Sequence, residues 1–167
     1  MLNGQYITIF VDASYCADTG AGGWGCWVKY GEGAKLEHSA RFKSSPSNAL
    51  EAEMWAIANA IAFVVATLET SGKIISLSTD CQNAIHFLND AVKRRGGKNS
   101  KYCTVAKKIH GIVPSDCRLS LKWVKAHKSV GGDNRNWVNN QVDKAARRHM
   151  KKMRKELNKT VDNLNLV

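Results

Sequence analysis

The sequence predicts an α/β domain in which helices cover one mixed five-stranded sheet. Five short segments have the alternating or mostly apolar pattern of strands, and four longer ones have the pattern of helices. Their order is three strands, a helix, a strand, two helices, a strand and a helix, which favours an antiparallel three-strand meander followed by two parallel strands. We expect residues 1–150 to form one domain and residues 151–167 a basic C-terminal tail.

The first 42 residues predict the meander. β-branched residues alternate along residues 7–11, as in a pleated strand, and the pattern stops at Asp12, where we expect the strand to end. The stretch from Tyr6 to Tyr30 reads as this strand, a tight connection and a second strand, and residues 34–42 predict a third. Four glycines between or within the first two strands allow close backbone approach or positive φ at turns: Gly20, Gly22, Gly23 and Gly25.

A long amphipathic helix is predicted over residues 49–70. Its apolar residues recur at steps of three and four: Leu50, Met54, Ile57, Ile61, Val64 and Leu68. Asn48 or Ser47 can cap its first turn. A short, mostly apolar strand over residues 73–79 follows, and it also leads directly to an acid, Asp80.

The second half of the chain completes the pattern. In order, we predict helices over residues 81–92 and 102–113, a strand over residues 118–125, a loop over residues 126–136 and a helix from about Trp137. The connection over residues 93–101 is basic and contains two glycines. The final helix leads into the basic tail.

Four carboxylates stand at positions that one site could share. Asp12 and Asp80 follow strands that are neighbours if both belong to one sheet, while Glu53 and Asp143 lie near the starts of two helices. Four carboxylates close together raise one another's pKa unless a divalent cation takes up their charge. Ligation by oxygen alone favours Mg²⁺ or Mn²⁺ over zinc. Two such ions about 4 Å apart can activate a water and stabilise the leaving oxygen in phosphodiester cleavage.

The net charge of +11 is concentrated in the second half of the chain. Residues 1–92 hold 5 Lys and Arg against 9 Asp and Glu, whereas residues 93–167 hold 20 against 5. A half-chain this basic predicts a polyanionic partner such as a nucleic acid backbone, because neutralising phosphates releases counterions. The alternative is a surface that only promotes solubility.

The cysteine and hydropathy patterns indicate the cellular compartment. Five cysteines are scattered without a CxxC pair, which indicates neither a disulfide framework nor a zinc site, and we expect a reducing cytoplasm. The longest apolar stretch, residues 54–66, is short for a bilayer and is interrupted by Asn59. No secretory leader is recognisable, so nothing argues for export. We expect no membrane partner, and we also expect a monomer.

Five segments in this order carry a family pattern: IFVDAS, AEMWAIANAI, LSTDCQNAI, WVKAHKSVGG and NNQVDKAA. They resemble the signature blocks of type 1 ribonuclease H and cover most of residues 6–146. The run DASYCADTGAGGWG also matches the family's D-G-S…G-x-G-G-W/Y-G pattern without a gap. The block AHKSVGG…QVDK and the Ala52-Glu53 pair are closest to retroviral-type members. The resemblance implies the ribonuclease H-like fold.

The resemblance implies a nuclease that cuts the RNA strand of RNA–DNA hybrids and leaves 5′-phosphate and 3′-hydroxyl ends. It assigns the binding of two Mg²⁺ ions, with Mn²⁺ as a substitute, to four catalytic acids: Asp12, Glu53, Asp80 and Asp143. His127 matches the mobile histidine that assists proton transfer or product release. Glu51 competes with Glu53 on sequence alone, and the family's spacing to the following apolar residues favours Glu53.

Selection of a hybrid needs contacts to 2′-hydroxyls in the shallow minor groove. The resemblance places substrate binding at seven positions: Ser14, Asn48, Gln82, Asn83, Lys93, Arg94 and Arg95. The last three stand where many bacterial members carry a basic protrusion that grips the hybrid. The first four have competing roles in capping or turn formation.

The chain departs from the family pattern in several places. Ala13 replaces the usual Gly after the first acid, and Asn140 stands where a Glu is common. The segment DNRNWV, residues 133–138, lengthens the His127 loop relative to retroviral-type members, so that Trp137 is also compatible with the loop.

Two other functions are compatible with the same fold. A junction resolvase would cut branched DNA and ignore hybrids. A catalytically silent nucleic-acid-binding module would bind without cutting, and the presence of all four acids argues against it because a module that only binds has no need for them.

Overall fold

Five strands form one mixed sheet in the computed structural model, which describes residues 5–93, 101–125 and 134–164, and only the backbone of 91–93, 134–136 and 161–164. The strands are β1 (Tyr6–Tyr15), β2 (Gly22–Tyr30), β3 (Ala34–Arg41), β4 (Ile74–Thr79) and β5 (Arg118–Trp123). Their order across the sheet is β3-β2-β1-β4-β5. The pairs β1–β2 and β2–β3 are antiparallel, and β1–β4 and β4–β5 are parallel. The predicted fold class is confirmed.

Four helices lie on this sheet or on one another: α1 (Ala49–Thr67), α2 (Gln82–Lys93), α3 (Lys101–Ile112) and α4 (Asn134–Leu164). The main core contains the fully buried side chains of Ile9 on β1, Ile57 and Ile61 on α1, and Leu77 on β4. α1 is long and apolar enough to cross a membrane by length and composition only. It is the central helix of this core, since its apolar side chains pack against the sheet.

The other face of the sheet carries a smaller apolar cluster and α4. Phe10 on β1 and Trp27 on β2 are paired across the strands and pack against Val138 and Val142 of α4. Because side chains alternate along a strand, Asp12 lies on the same face as Phe10. Asp12 therefore lies on the side of the sheet that α4 covers.

The expected end of the first strand at Asp12 is wrong, because β1 continues to Tyr15 through pairing with β2. What ends near Asp12 is the pairing between β1 and β4, whose last partners are Phe10 and Ser78. Continuing that register by two residues brings Asp12 level with Asp80, the residue after β4. The two acids thus stand side by side where the central strands part.

α4 begins earlier and extends further than the sequence indicated. Trp137 lies in the helix and not in the loop, and its side chain is 56% exposed. The helix continues across residue 150 to Leu164 without a break, although its second half is highly charged and has few apolar residues to mark it. The division into residues 1–150 and 151–167 stays a prediction.

Candidate active site

Three of the four predicted acids meet at the carboxyl ends of β1 and β4. Among the described residues, one carboxylate oxygen from each of Asp12, Glu53 and Asp80 lies within 4.8 Å of the other two, and such a group could hold a metal ion. Asp12 comes from a central strand, Asp80 follows the neighbouring strand, and Glu53 projects from the beginning of α1. The Asn48 side chain caps that helix by accepting a 2.9 Å hydrogen bond from the amide of Glu51.

The electrostatics of this group fit a cation. Burial, followed by the charges of Asp80 and Asp143, raises the pKa of Asp12 to about 7. Burial, followed by the charge of Asp12, raises the pKa of Glu53 well above its usual range. The backbone amide of Ala13 donates a 2.9 Å hydrogen bond to Oδ1 of Asp12. These shifts show that the fold holds carboxylates together at an energetic cost, which a bound cation would remove.

Glu53 supplies a second indication that this group suits a cation. Its Oε2 atom is buried and has no hydrogen-bond partner among the described residues. A buried carboxylate oxygen without a partner is destabilising, and hard divalent cations prefer carboxylate oxygens. The donor set of Asp12, Glu53 and Asp80 contains oxygen alone, which suits Mg²⁺ or Mn²⁺ better than zinc.

Asp143 stands beside this group but is not part of it. Among the described residues, only Asp12, Glu53 and Asp80 form a group whose carboxylate oxygens lie within 4.8 Å of one another. Its carboxylate accepts a 2.8 Å hydrogen bond from Nε of Arg147, one turn further along α4. Its charge nevertheless contributes to the raised pKa values of Asp12 and Glu53. The fourth acid is therefore an electrostatic neighbour of Asp12 and Glu53 and is held by an arginine.

Two glycines of β2 allow α4 to bring Asp143 this close. A Cβ atom built on Gly23 would lie 2.4 Å from the carbonyl oxygen of Ala146, and one on Gly25 would lie 3.1 Å from that of Val142. Any side chain at Gly23 would collide with the backbone of α4. The glycine run of the predicted hairpin thus permits a close helix–sheet contact beside the acids.

The contacts of Glu51 and Glu53 support the preference for Glu53 as the metal-binding acid. Glu51 accepts hydrogen bonds from the amide and hydroxyl of Ser47, both at 2.6 Å, and forms a 3.8 Å ion pair with Lys101. It is thus engaged at the start of α1. Glu53 is the glutamate that joins the aspartates.

The predicted substrate-binding residues are placed unevenly. Ser14 lies two residues beyond Asp12 on the same face of β1, and Gln82 and Asn83 are exposed in the first turn of α2, just after Asp80. The amide nitrogen of Asn48 donates a 2.7 Å hydrogen bond to the Tyr102 hydroxyl. His127, Arg94 and Arg95 lie outside the described residues, as does the side chain of Lys93.

Three residues near the site were not singled out from the sequence. The indole nitrogen of Trp123 donates a 3.1 Å hydrogen bond to the carbonyl of Asp80, so the end of β5 fixes the backbone at that acid. Tyr102 joins α3 to the Asn48 cap. The spacing of Asp143 and Arg147 at i and i+4 could have suggested their pair, whereas the other two contacts are long-range and leave no local pattern.

Comparison with known proteins agrees with this geometry. A family model described as RNase H matches residues 4–151. No curated protein sequence matches the chain significantly. Many solved structures do. Three of them share at most 16% identity with the chain, a likeness that shows the fold alone.

The chain is similar to RNase H1 from the halophilic archaeon Halobacterium salinarum, with a TM-score of 0.64 and 16% identity over 88% of this chain and 98% of that one. It is similar to the N-terminal RNase H domain of Rv2228c from Mycobacterium tuberculosis, with a TM-score of 0.65 and 15% identity over 90% and 97%. It also resembles an RNase H1 isolated from compost by a metagenomic approach, with a TM-score of 0.66 and 16% identity over 89% and 97%.

The family model covers most of the chain, and the same fold brings together Asp12, Glu53 and Asp80. This chain therefore belongs to the RNase H family and is a ribonuclease H enzyme.

Proposed function

We propose that this protein is a divalent-metal-dependent endoribonuclease that hydrolyses the RNA strand of RNA–DNA hybrids by two-metal-ion catalysis. The observation that carries the proposal is the group of Asp12, Glu53 and Asp80, in which a buried oxygen of Glu53 has no partner among the described residues. These residues would hold Mg²⁺, or Mn²⁺ as a substitute, and Asp143 would join them. The ions would supply Lewis acidity and an activated water.

The reaction breaks one bond at phosphorus. A water oxygen bonds to the phosphorus of the RNA strand and the P–O3′ bond breaks, so that the downstream fragment keeps a 5′-phosphate. The departing 3′-oxygen takes a proton and becomes a 3′-hydroxyl. His127 is our candidate for assisting this proton transfer or product release, because a histidine titrates near neutral pH.

The surroundings of the acids support recognition of RNA. Gln82 and Asn83 are exposed beside Asp80, and Ser14 shares a sheet face with Asp12. Amide and hydroxyl groups can contact 2′-hydroxyls and phosphates across a shallow minor groove, and we assign that role to these three residues and to Asn48. We assign phosphate contacts to Lys93, Arg94 and Arg95, and to the basic second half of the chain more widely.

The cellular setting is part of the proposal. The five cysteines are free thiols, which supports a reducing compartment, and we propose that the protein acts in the cytoplasm. We further propose that it acts as a monomer, because the four acids come from one chain.

A cleavage assay with four labelled substrates tests the proposal: an RNA–DNA hybrid, double-stranded RNA, double-stranded DNA and a four-way DNA junction, each with Mg²⁺, Mn²⁺, Ca²⁺ or a chelator. We expect cutting of the hybrid alone, in Mg²⁺ or Mn²⁺, with 5′-phosphate products. We expect Asp80→Asn to lose activity by about a thousandfold or more while it still binds the hybrid, because the acid holds metal. Glu32→Gln, on an exposed turn, is the matched control and should cut normally.

The rival functions predict other results. Cutting of the junction without cutting of the hybrid would identify a resolvase. Tight hybrid binding without cleavage under any metal would identify a binding module. Retention of more than a few per cent of the activity by Asp80→Asn would contradict the assigned role of the acid.

A further inference from the structure

The exposed side of α4 is unusually basic. Six exposed cations lie along one side of this helix within twelve residues, and we call them the basic face of α4: Lys144, Arg147, Arg148, Lys151, Lys152 and Lys155. They line an open groove of about 510 Å³. No acidic side chain lines it.

The basic face points away from the sheet. Val142, Ala146 and Met153 are buried on the side of α4 that contacts β1 and β2. At about 100° per residue, Arg148 and Lys155 lie roughly half a turn from Ala146. The packing of α4 therefore uses one side of the helix, and the basic face is not needed for it.

The acids of α4 leave the basic face largely unneutralised. Asp143 pairs with Arg147, and Glu156 pairs with Arg41 of β3. No carboxylate of residues 5–90, 101–125 or 137–160 forms an ion pair with the other five cations. Four like-charge pairs at i and i+4 remain, beginning with Lys144 and Arg148 and ending with Lys151 and Lys155. Each such pair destabilises a helix, whereas a face that served only solubility could alternate its charges.

One end of the basic face reaches the active site. Arg147 contacts Asp143, and its charge acts on Asp12, where it lowers the pKa. From there α4 runs past Gly25, Gly23 and Gly22 of β2 in turn. The acids lie at this end of the sheet, and the helix continues beyond it. From Lys144 to Lys155 the basic face spans about 16 Å, at 1.5 Å per residue. That length corresponds to about five base pairs of duplex.

We propose that the basic face of α4 is a phosphate-binding surface that holds the substrate duplex next to the carboxylates. The inference rests on the proposed function for its choice of a hybrid as ligand, and it adds a contact separate from Lys93, Arg94 and Arg95. A duplex with its scissile phosphate at Asp12, Glu53 and Asp80 presents further phosphates within reach of α4. Lysine and arginine side chains on one helix face can follow such a backbone without reading its sequence.

The test compares two triple variants, each of which removes three lysine charges. One is Lys151→Gln with Lys152→Gln and Lys155→Gln. The control is Lys29→Gln with Lys35→Gln and Lys73→Gln, which lie towards the end of the sheet farthest from Asp12. Hybrid binding is measured by fluorescence anisotropy between 50 and 300 mM salt, with Asp80→Asn added to every protein to prevent cleavage. Circular dichroism monitors the helix, which glutamine supports well.

We expect the α4 variant to bind the hybrid about tenfold more weakly near 0.1 M salt, and its log–log salt slope to be shallower by 2 to 3. The control should keep the slope of its parent. An unchanged slope in the α4 variant, or an equal change in the control, would overturn the proposal. Cleavage by the protein without Asp80→Asn is scored separately. A shallower slope together with no cleavage would retain the basic face as a nucleic acid site and reject the proposed activity.

Discussion

Asp12 on β1 lies directly opposite Gly25 on β2, and the absence of a side chain at Gly25 lets α4 pack against the sheet beside the acid. A Cβ atom at Gly25 would lie 3.2 Å from that of Ala145, which is tighter than ordinary van der Waals contact. Asp143 stands between Val142 and Ala145 on this part of the helix. Asp12 is therefore paired between strands with the glycine that allows α4 to bring Asp143 near.

Replacing a glycine under α4 should displace the helix. Gly23→Ala puts a methyl group where backbone atoms of Ala146 and Met150 would lie 2.4 and 2.5 Å away. We expect the free energy of unfolding to fall by about 1–3 kcal/mol, as in other overpacked sites, and cleavage to fall with it. Urea denaturation and the hybrid assay measure the two effects.

Gly111→Ala is the control for this substitution. Gly111 lies in α3, and a Cβ atom there has nothing within 4 Å. Alanine should stabilise the helix by about 0.5–1 kcal/mol and leave cleavage unchanged. Equal stability of the Gly23→Ala and Gly111→Ala proteins would contradict the close helix–sheet contact.

The metal-free protein should lose stability as the pH rises. Asp12 has a pKa of about 7 when folded and 3.8 as the ordinary value, because burial and the charges of Asp80 and Asp143 disfavour its ionised form. Between these values the folded state binds more protons than the unfolded state, so the free energy of unfolding decreases with increasing pH. Glu53 shifts in the same direction and adds to the trend.

Asp12→Asn should weaken this pH dependence. In a chelator at pH 8 we expect the variant to be more stable than the parent by about 2 kcal/mol, since an amide avoids the cost of a buried charge. Thermal denaturation from pH 4 to 8 provides the comparison. If the free energy of unfolding changes with pH equally in the parent and in the variant, the carboxylates are not held together in the folded protein.

The end of β1, expected at Asp12 and observed at Tyr15, shows how much of a strand a local sequence pattern can predict. Residues 7–11 alternate strongly, so the strand was evident, and the carboxylate at its apolar end marked the site. Ala13 and Ser14 have weak strand preferences, and only pairing with Gly23 and Trp24 keeps them in β1. Tertiary pairing therefore decided the true end of the strand.

The length of α4 could not be predicted from the sequence pattern. Residues 151–160 are mostly charged, and Met153 is the one buried residue among them. A helix with so narrow an apolar stripe gives little periodic signal, and we expected a tail. The contact of Met153 with Gly22 and the pair of Glu156 with Arg41 join distant segments, so they could not be found from spacing.

Divalent cations should stabilise the protein at pH 8. Binding to the folded state alone raises the free energy of unfolding by RT ln(1 + [L]/Kd), so the melting temperature should rise with Mg²⁺ concentration. Asp12→Asn and Asp80→Asn should reduce this rise, because each removes a charged ligand. Glu32→Gln, in an exposed turn, should respond as the parent does. An equal response of all four proteins would indicate nonspecific binding.

Arg147 should compete with the metal. Its guanidinium bonds to Asp143 and adds positive charge near Asp12. We expect Arg147→Gln to lower the Mg²⁺ concentration for half-maximal cleavage by about two- to fivefold, the range of an exposed ion pair. Arg148→Gln, at the next residue, which is also exposed, serves as the control. A shift of the same size in both variants would mean that overall charge, and not the pair with Asp143, sets the metal requirement.

Anomalous diffraction from crystals grown with Mn²⁺ and an RNA–DNA hybrid tests the metal centre most directly. The account predicts two peaks about 4 Å apart, with carboxylate oxygens of Asp12, Glu53 and Asp80 among the ligands and Asp143 turned from Arg147 towards them. Peaks elsewhere in the protein, or a Glu53 carboxylate that binds no ion, would contradict it.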